Sequence, residues 1–308
     1  MNKVLVLGGT GFVGRSLCAL IAASDGATGI TVPSRRPAQA RQRGLPPSAT
    51  VVRADVHDPV QLAGLVEGHD AVVNLVAILH GSEAEFVRTH VALPRTLAGA
   101  CRSKGVRRIV HVSALGVDSA QPSRYLRSKA EGEAVLQGAD LDVTVLRPSV
   151  IYGQHDRFMN LFARLLRFAP MLPLASADAR FQPVWVEDVA RAILVCLERP
   201  ETAGQTFECA GPEVFTLREL VKLAGRWSGH ERPVIALPPA VGTLQAAVME
   251  RLPGEPLMSR DNLQSMKTPN VASGRLPSLA DMGIRAAALG AVAPEYLGAD
   301  RVRAGTQS

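Results

Sequence analysis

Short apolar runs separated by longer stretches of helical periodicity dominate the first half of the chain. The runs are VLVL from Val4, GITV from Gly29, TVVRADV from Thr50, DAVVNLVA from Asp70, RIVHVSA from Arg108 and DVTVLRP from Asp142. Each is a block of Val, Ile and Leu rather than an alternation of apolar and polar residues, the pattern of a strand covered on both faces by helices. Strand and helix recurring in this way predict βαβ units, and therefore an α/β fold with a doubly wound parallel sheet. After Pro148 the rhythm changes. Phe158 to Phe168 predicts a helix with apolar Phe158, Leu161, Phe162, Leu165 and Phe168 set against Arg157, Asn160, Arg164 and Arg167. PVWVEDVARAILVCL from Pro183 returns to strand and helix, with Asp188 placed as the cap, and QTFECAGPEVFTLRELVKLAG from Gln205 supplies another pair. The pattern divides the chain into a sheet domain over 1–150, completed by about 181–210, and a smaller, interleaved C-terminal lobe over 151–180 and 211–300. The last residues, 301–308, read as a flexible tail.

Composition narrows the classes. A chain of 308 residues, 47% apolar, can bury one large core or a large core with a smaller lobe. Thirty-four basic against twenty-eight acidic side chains leave a net charge of +6, a surplus that many anions could satisfy. No RNP-like motif, zinc-finger spacing or long basic run is present and aromatics stand at 4%, so no nucleic-acid partner is expected. Cys18, Cys101, Cys196 and Cys209 are widely spaced and are read as reduced, buried thiols. The apolar run Val4 to Leu7 is too short for a signal peptide, and no stretch of about 18 apolar residues predicts a transmembrane segment. A cytoplasmic protein is expected, peripheral at the inner face of the membrane being the further option. The histidines are scattered without ligand spacing, so no metal site is expected.

GGTGFVG, directly after the first predicted strand, places Gly8, Gly11 and Gly14 in a GxxGxxG spacing that opens a helix, with Thr10, Phe12 and Val13 between them. Such a turn sets backbone amides around a pyrophosphate, the phosphate grip of a Rossmann domain that binds a nicotinamide dinucleotide. At the end of the second strand the chain reads TVPSRRP. An acidic residue there would accept from the 2′-hydroxyl of NAD, whereas Ser34, Arg35 and Arg36 offer a hydroxyl and guanidinium forks for a 2′-phosphate. NADP(H) is therefore preferred over NAD(H). Asp55, followed by Val56, ends the third strand and is read either as an acceptor for the adenine amine or as a cap for the helix beginning at His57. Asn74, Leu75, Val76 and Ala77 end the fourth, where small residues would let the cofactor ribose lie close.

Tyr125 and Lys129 stand four apart in SRYLRSKAEGE and project from one helix face, and Ser113 ends the fifth strand twelve residues before Tyr125. A lysine ammonium beside a phenol favours the phenolate, the serine hydroxyl would hold a carbonyl, and the lysine would also hold the nicotinamide ribose. These residues resemble the short-chain dehydrogenase/reductase superfamily in its atypical, extended branch. In that superfamily Ser113, Tyr125 and Lys129 correspond to catalytic positions, and Pro148, Ser149 and Val150 to the loop beside the nicotinamide. HVSALG from His111, SRYLRSKAEGE from Ser123, FQPVWVEDVARAI from Phe181 and LPGEPLMSRDNLQSM from Leu252 are similar to the accessory Rossmann-type subunit of respiratory complex I and its bacterial relatives. His90 occupies the helix position where many extended members carry an asparagine that steadies the proton relay, and it would either relay protons or pack and hydrogen-bond.

The resemblance implies two alternatives. One is an NADP(H)-dependent oxidoreductase acting on a carbonyl or a lipophilic, quinone-related substrate. The other is a non-catalytic NADPH-binding accessory subunit or assembly factor of the complex I type, which implies a membrane-associated respiratory or quinone-synthesis partner. The arginine pair gives a direct check: changing Arg35 and Arg36 together to alanine is expected to weaken NADPH binding about tenfold or more, from the usual strength of charged hydrogen bonds. Unchanged NADPH affinity in a titration would remove the NADP assignment.

Overall fold

The computed structural model describes residues 1–24, 28–42, 44–251 and 256–298. The tail reading for 301–308 lies outside the described residues, as do Leu252 to Glu255 of the distal motif. Six strands follow the expected runs: β1 (Lys3–Leu7), β2 (Gly29–Ser34), β3 (Ala49–Arg53), β4 (Ala71–Asn74), β5 (Arg108–Val112) and β6 (Asp142–Pro148). With the strand Thr206–Cys209 they make one seven-stranded sheet, all pairs parallel, in the order Thr206–Cys209, β6, β5, β4, β1, β2, β3. The order reverses at β1, which places the carboxyl ends of β1 and β4 at the topological switch point where α/β sheets take their ligands.

The chain forms two compact units. Among the described residues, the first comprises those in 1–148, 186–209 and 274–284, and the second those in 149–185, 210–273 and 285–298. Residues 274–284, which the sequence pattern placed in the smaller lobe, belong to the sheet unit because the Glu208 amide donates to the Pro277 carbonyl at 2.8 Å on the sheet edge. In the first unit, Leu5, Leu7, Val72, Ile109 and Val145 are fully buried against helices Pro59–Val66 and Leu93–Lys104, so the strands have no polar face to show as alternation. All four cysteines are free and buried.

The second unit has its own core, in which helices Met159–Phe168, Leu217–Ser228 and Leu289–Leu297 bury Phe162, Leu166, Leu220, Val221 and Ala293. The apolar stripe expected from Phe158 to Phe168 is rotated. Met159, Phe162 and Leu166 form the buried face, and Phe168 is exposed with the Arg167 guanidinium 5.6 Å from its ring centre. Asp188 is not the cap of its helix: the helix begins at Val186, and Asp188 sits buried in its first turn, paired with Arg191 at 2.8 Å. A carboxylate there still complements the helix dipole.

Within the sheet unit, helix Arg124–Gln137 crosses the π-helical segment Arg88–Ala92 so closely that a Cβ on Gly132 would overlap the His90 carbonyl oxygen. Backbone on both sides leaves no flexible group to yield. Gly132→Ala is therefore expected to destabilise the protein by about 1–3 kcal/mol, as overpacking does elsewhere. A shift in denaturant midpoint with unchanged slope would report it, and an unshifted midpoint would contradict the crossing.

Candidate functional site

The glycine turn is defined by what cannot fit in it. Gly8 adopts φ +80°, and a Cβ there would stand 3.1 Å from the Leu75 carbonyl carbon. A Cβ on Gly14 would come within 2.5 Å of both the Gly8 oxygen and the Gly9 Cα. The Gly11 amide donates to the Gly8 carbonyl at 2.9 Å, which closes the turn. Gly11 then caps helix Phe12–Ala23 with no side-chain acceptor, and the first helical turn carries no acidic residue. The amide end of this helix is thus left for an external anion.

Beside the turn opens a cleft of about 600 Å³. Its walls bring together Gly8, Thr10, Ser34, Arg35, Arg36, Asp55, Val56 and Val76 of the residues that the sequence singled out. Gln39 and His57 line it as well and were missed. Gly11, Phe12, Val13, Gly14, Leu75 and Ala77 shape the turn and the β4 end without lining the cleft. The Ser34 hydroxyl accepts from the Arg36 amide at 3.2 Å, which turns the chain at the arginine pair. The cap reading for Asp55 is replaced. Asp58 caps helix Pro59–Val66 by accepting from the Val60 and Gln61 amides, while Asp55 accepts from the His57 amide at 3.0 Å and faces the cleft. Pro148 ends β6 and accepts from the Leu115 amide at 2.9 Å. In the second unit the Val150 amide donates to Asn270 Oδ1 at 2.8 Å, and the Ser149 hydroxyl lies 2.7 Å from the same oxygen.

The three catalytic candidates lie on the sheet unit. Ser113 follows β5, its amide donating to the Leu146 carbonyl at 2.7 Å. The residue is 5% exposed and its hydroxyl has no hydrogen-bond partner among the described residues. A buried hydroxyl without a partner is uncommon in a folded core. Helix Arg124–Gln137, capped by Ser123, carries Tyr125 and Lys129. Lys129 is 2% exposed, and its ammonium donates to the Val112 carbonyl at 2.7 Å, one residue before Ser113. Burial lowers its pKa to about 8 against the opposing pull of Glu133. Tyr125 departs from expectation. Its phenol is pushed up to about 12 by burial, which disfavours the phenolate.

Two histidines, neither counted among the site residues by sequence, complete the surroundings. The Ile78 amide donates to His90 Nε2 at 3.1 Å, so this nitrogen is unprotonated and Nδ1 carries the hydrogen, 2.8 Å from the Ser128 hydroxyl. Ser128 in turn donates to the Tyr125 carbonyl at 2.9 Å. The His90 ring stands edge-on to the Tyr125 ring at 5.6 Å, and burial with the nearby Lys129 charge holds its pKa down to about 3. His90 thus packs as a neutral ring with both nitrogens hydrogen-bonded. On the neighbouring strand pair, Asn74 Nδ2 lies 3.2 Å from His111 Nδ1, and the Asn74 oxygen accepts from the Val76 amide. Asn74 is thus the donor to Nδ1, which leaves the His111 hydrogen on Nε2, buried and without a partner among the described residues. A polar residue inside an apolar strand was the available signal for His111.

The turn, the cleft and the buried serine and lysine together define a nicotinamide-dinucleotide protein of the short-chain dehydrogenase/reductase type. More narrowly, the chain belongs to the NAD dependent epimerase/dehydratase family, whose sequence model matches residues 4–210, more than half of it. It is 31% identical over 243 residues to the mouse mitochondrial NADH dehydrogenase (ubiquinone) 1 alpha subcomplex subunit 9, across 77% of this chain and 63% of that subunit. The chain thus spans less than two thirds of that relative's length. It is 29% identical over 248 residues to a ceramide reductase of Caulobacter vibrioides, across 80% of this chain and 77% of the reductase. In fold it is similar to UDP-glucuronic acid 4-epimerase from Bacillus cereus, solved in complex with UDP-glucuronic acid and NAD, with a TM-score of 0.66 and 18% identity over 96% of this chain and 98% of that one. Among the described residues no helix is long and apolar enough to cross a membrane.

The His90 geometry has a spectroscopic consequence. Nitrogen-15 spectra of the imidazole are expected to show Nδ1–H with a bare Nε2, unchanged from pH 5 to 8. A titration of this ring within that range, or the opposite tautomer, would overturn the hydrogen-bond assignment.

Proposed function

We propose that the protein is an NADP(H)-dependent oxidoreductase acting on the carbonyl of a lipophilic, quinone-related substrate. The observation that carries this reading is the Ser113 hydroxyl, buried and without a hydrogen-bond partner among the described residues, next to the strand end to which Lys129 donates. The glycine turn holds the pyrophosphate, Asp55 and Val56 hold the adenine, and Ser34, Arg35 and Arg36 hold the 2′-phosphate. The bound dinucleotide supplies or accepts the hydride. Ser113 donates its hydroxyl hydrogen to the substrate carbonyl. Tyr125, protonated at neutral pH because its pKa is near 12, gives its proton to the carbonyl oxygen in a reduction. Lys129 keeps its charge below about pH 8, and in this reading its ammonium binds the ribose hydroxyls. The names of the ceramide reductase and the ubiquinone-linked mouse subunit support a lipophilic substrate.

The identity to the mouse complex I subunit also supports a second reading, in which the chain holds NADPH without turning it over and docks on a membrane-associated respiratory or quinone-synthesis partner. Exchange separates the two. In the enzyme reading, the purified chain oxidises NADPH with a panel of long-chain ketones and quinones, and Tyr125→Phe lowers kcat by about a hundredfold or more. Its kcat/KM falls above about pH 8 as Lys129 loses its proton. Copurified NADPH that does not exchange, with no oxidation across the panel, would favour the accessory reading and end the enzymatic one.

A further inference from the structure

The positive end of the cleft extends beyond the arginine pair. Arg35 and Arg36 line it from the end of β2, and His57 lines it from the turn after the adjacent strand β3. The hydrogen bond from the His57 amide to Asp55 Oδ1 fixes the backbone of that turn, at which the histidine lines the cleft. The charged groups acting on its imidazole are Arg35 from the β2 end, exposed Arg88 from the π-helical segment and Asp55 from its own turn. Two guanidiniums face one carboxylate. Burial and these cations lower the His57 pKa below its ordinary value, with Asp55 opposing, so the ring is mostly neutral at pH 7. A surplus of cations around a half-buried ring repels its proton until an anion arrives, and an arriving dianion reverses the balance.

We infer that His57 is a third, titratable contact of the cofactor's 2′-phosphate and takes up a proton from solvent when NADPH binds, whereas NADH binding takes up none. This rests on the NADP reading above. Its consequence is a pH-dependent choice between the two dinucleotides: discrimination in favour of NADPH sharpens as the medium acidifies toward pH 6. Specificity would then be set by an ionisable side chain from the turn after β3 as well as by the fixed charges that follow β2.

Titration calorimetry of the full chain and of His57→Gln, with NADPH and with NADH, in buffers of different ionisation enthalpy from pH 5.5 to 8, tests the proposal. A phosphate monoester loses its second proton near pH 6, and that contribution is common to both proteins. The difference between them isolates His57. The expected result is proton uptake on NADPH binding near pH 7 that exceeds that of His57→Gln, and none with NADH. The wild-type NADPH-to-NADH affinity ratio should also rise several-fold, about three to ten, relative to the variant between pH 7.5 and 6. In the wild-type protein alone, the His57 ring resonance should titrate at higher pH with NADPH than without it. Parallel profiles and an unmoved ring would overturn the His57 role while leaving the NADP reading intact. Equal affinity for NADPH and NADH at every pH would overturn both.

Discussion

The approach of bare backbone to bare backbone at the end of β1 is the constraint on which the rest of the site depends. The chain must leave the central strand, fold back on itself at Gly8 and start a helix at Phe12. That path brings Gly14 against Gly8 and Gly9, with no room for a single carbon. The result is a helix whose amide end points into the sheet's switch point with no side chain closing it. The ends of β2 and β3 then define which anion fits, and the ends of β4 and β5 define what can be brought to it. The order of the seven strands gives the turn its neighbours, and the glycines allow a ligand to use them.

A second physical theme is desolvation. Lys129, Tyr125, His90 and His111 all have pKa values displaced toward the neutral form, and burial is the first cause in every case. The arrangement therefore does not prepare a phenolate. It holds a protonated tyrosine beside a lysine poised near pH 8, framed by two neutral histidines locked in opposite tautomers by the Ile78 amide and the Asn74 side chain. Among the described residues the Ser113 hydroxyl and the His111 Nε2–H have no hydrogen-bond partner. A buried donor without an acceptor costs free energy in the folded state, and in the proposed reaction a substrate carbonyl oxygen at Ser113 would offset that cost.

Much of the sheet was legible because a strand buried on both faces is written as an uninterrupted apolar run, and the glycine turn because its residue type is dictated by sterics at three positions. Other features depend on relations that periodicity does not carry. Asp55 and Asp58 offer the same carboxylate three residues apart, and only the observed bonds distinguish the turn-former from the helix cap. The pairing of His111 with Asn74 follows from the register of β4 against β5, which places those two residues opposite one another. The small lobe is built on strands of two or three residues, such as Ile151–Tyr152 and Phe215–Thr216, too short to leave an alternation. The helix after Phe158 was visible as a helix, but its buried face was misplaced by a rotation because Met159 and Leu166 were not counted in the stripe.

The account stands on one cofactor in one cleft, chosen by charge at the end of β2. Equilibrium titration of cofactor-stripped protein with NADPH and with NADH at a single neutral pH and moderate salt measures that choice most directly. One NADPH per chain, bound about tenfold or more tightly than NADH, is the result that the arginine-lined wall predicts. Binding of neither dinucleotide, or NADH held as tightly as NADPH, would contradict it.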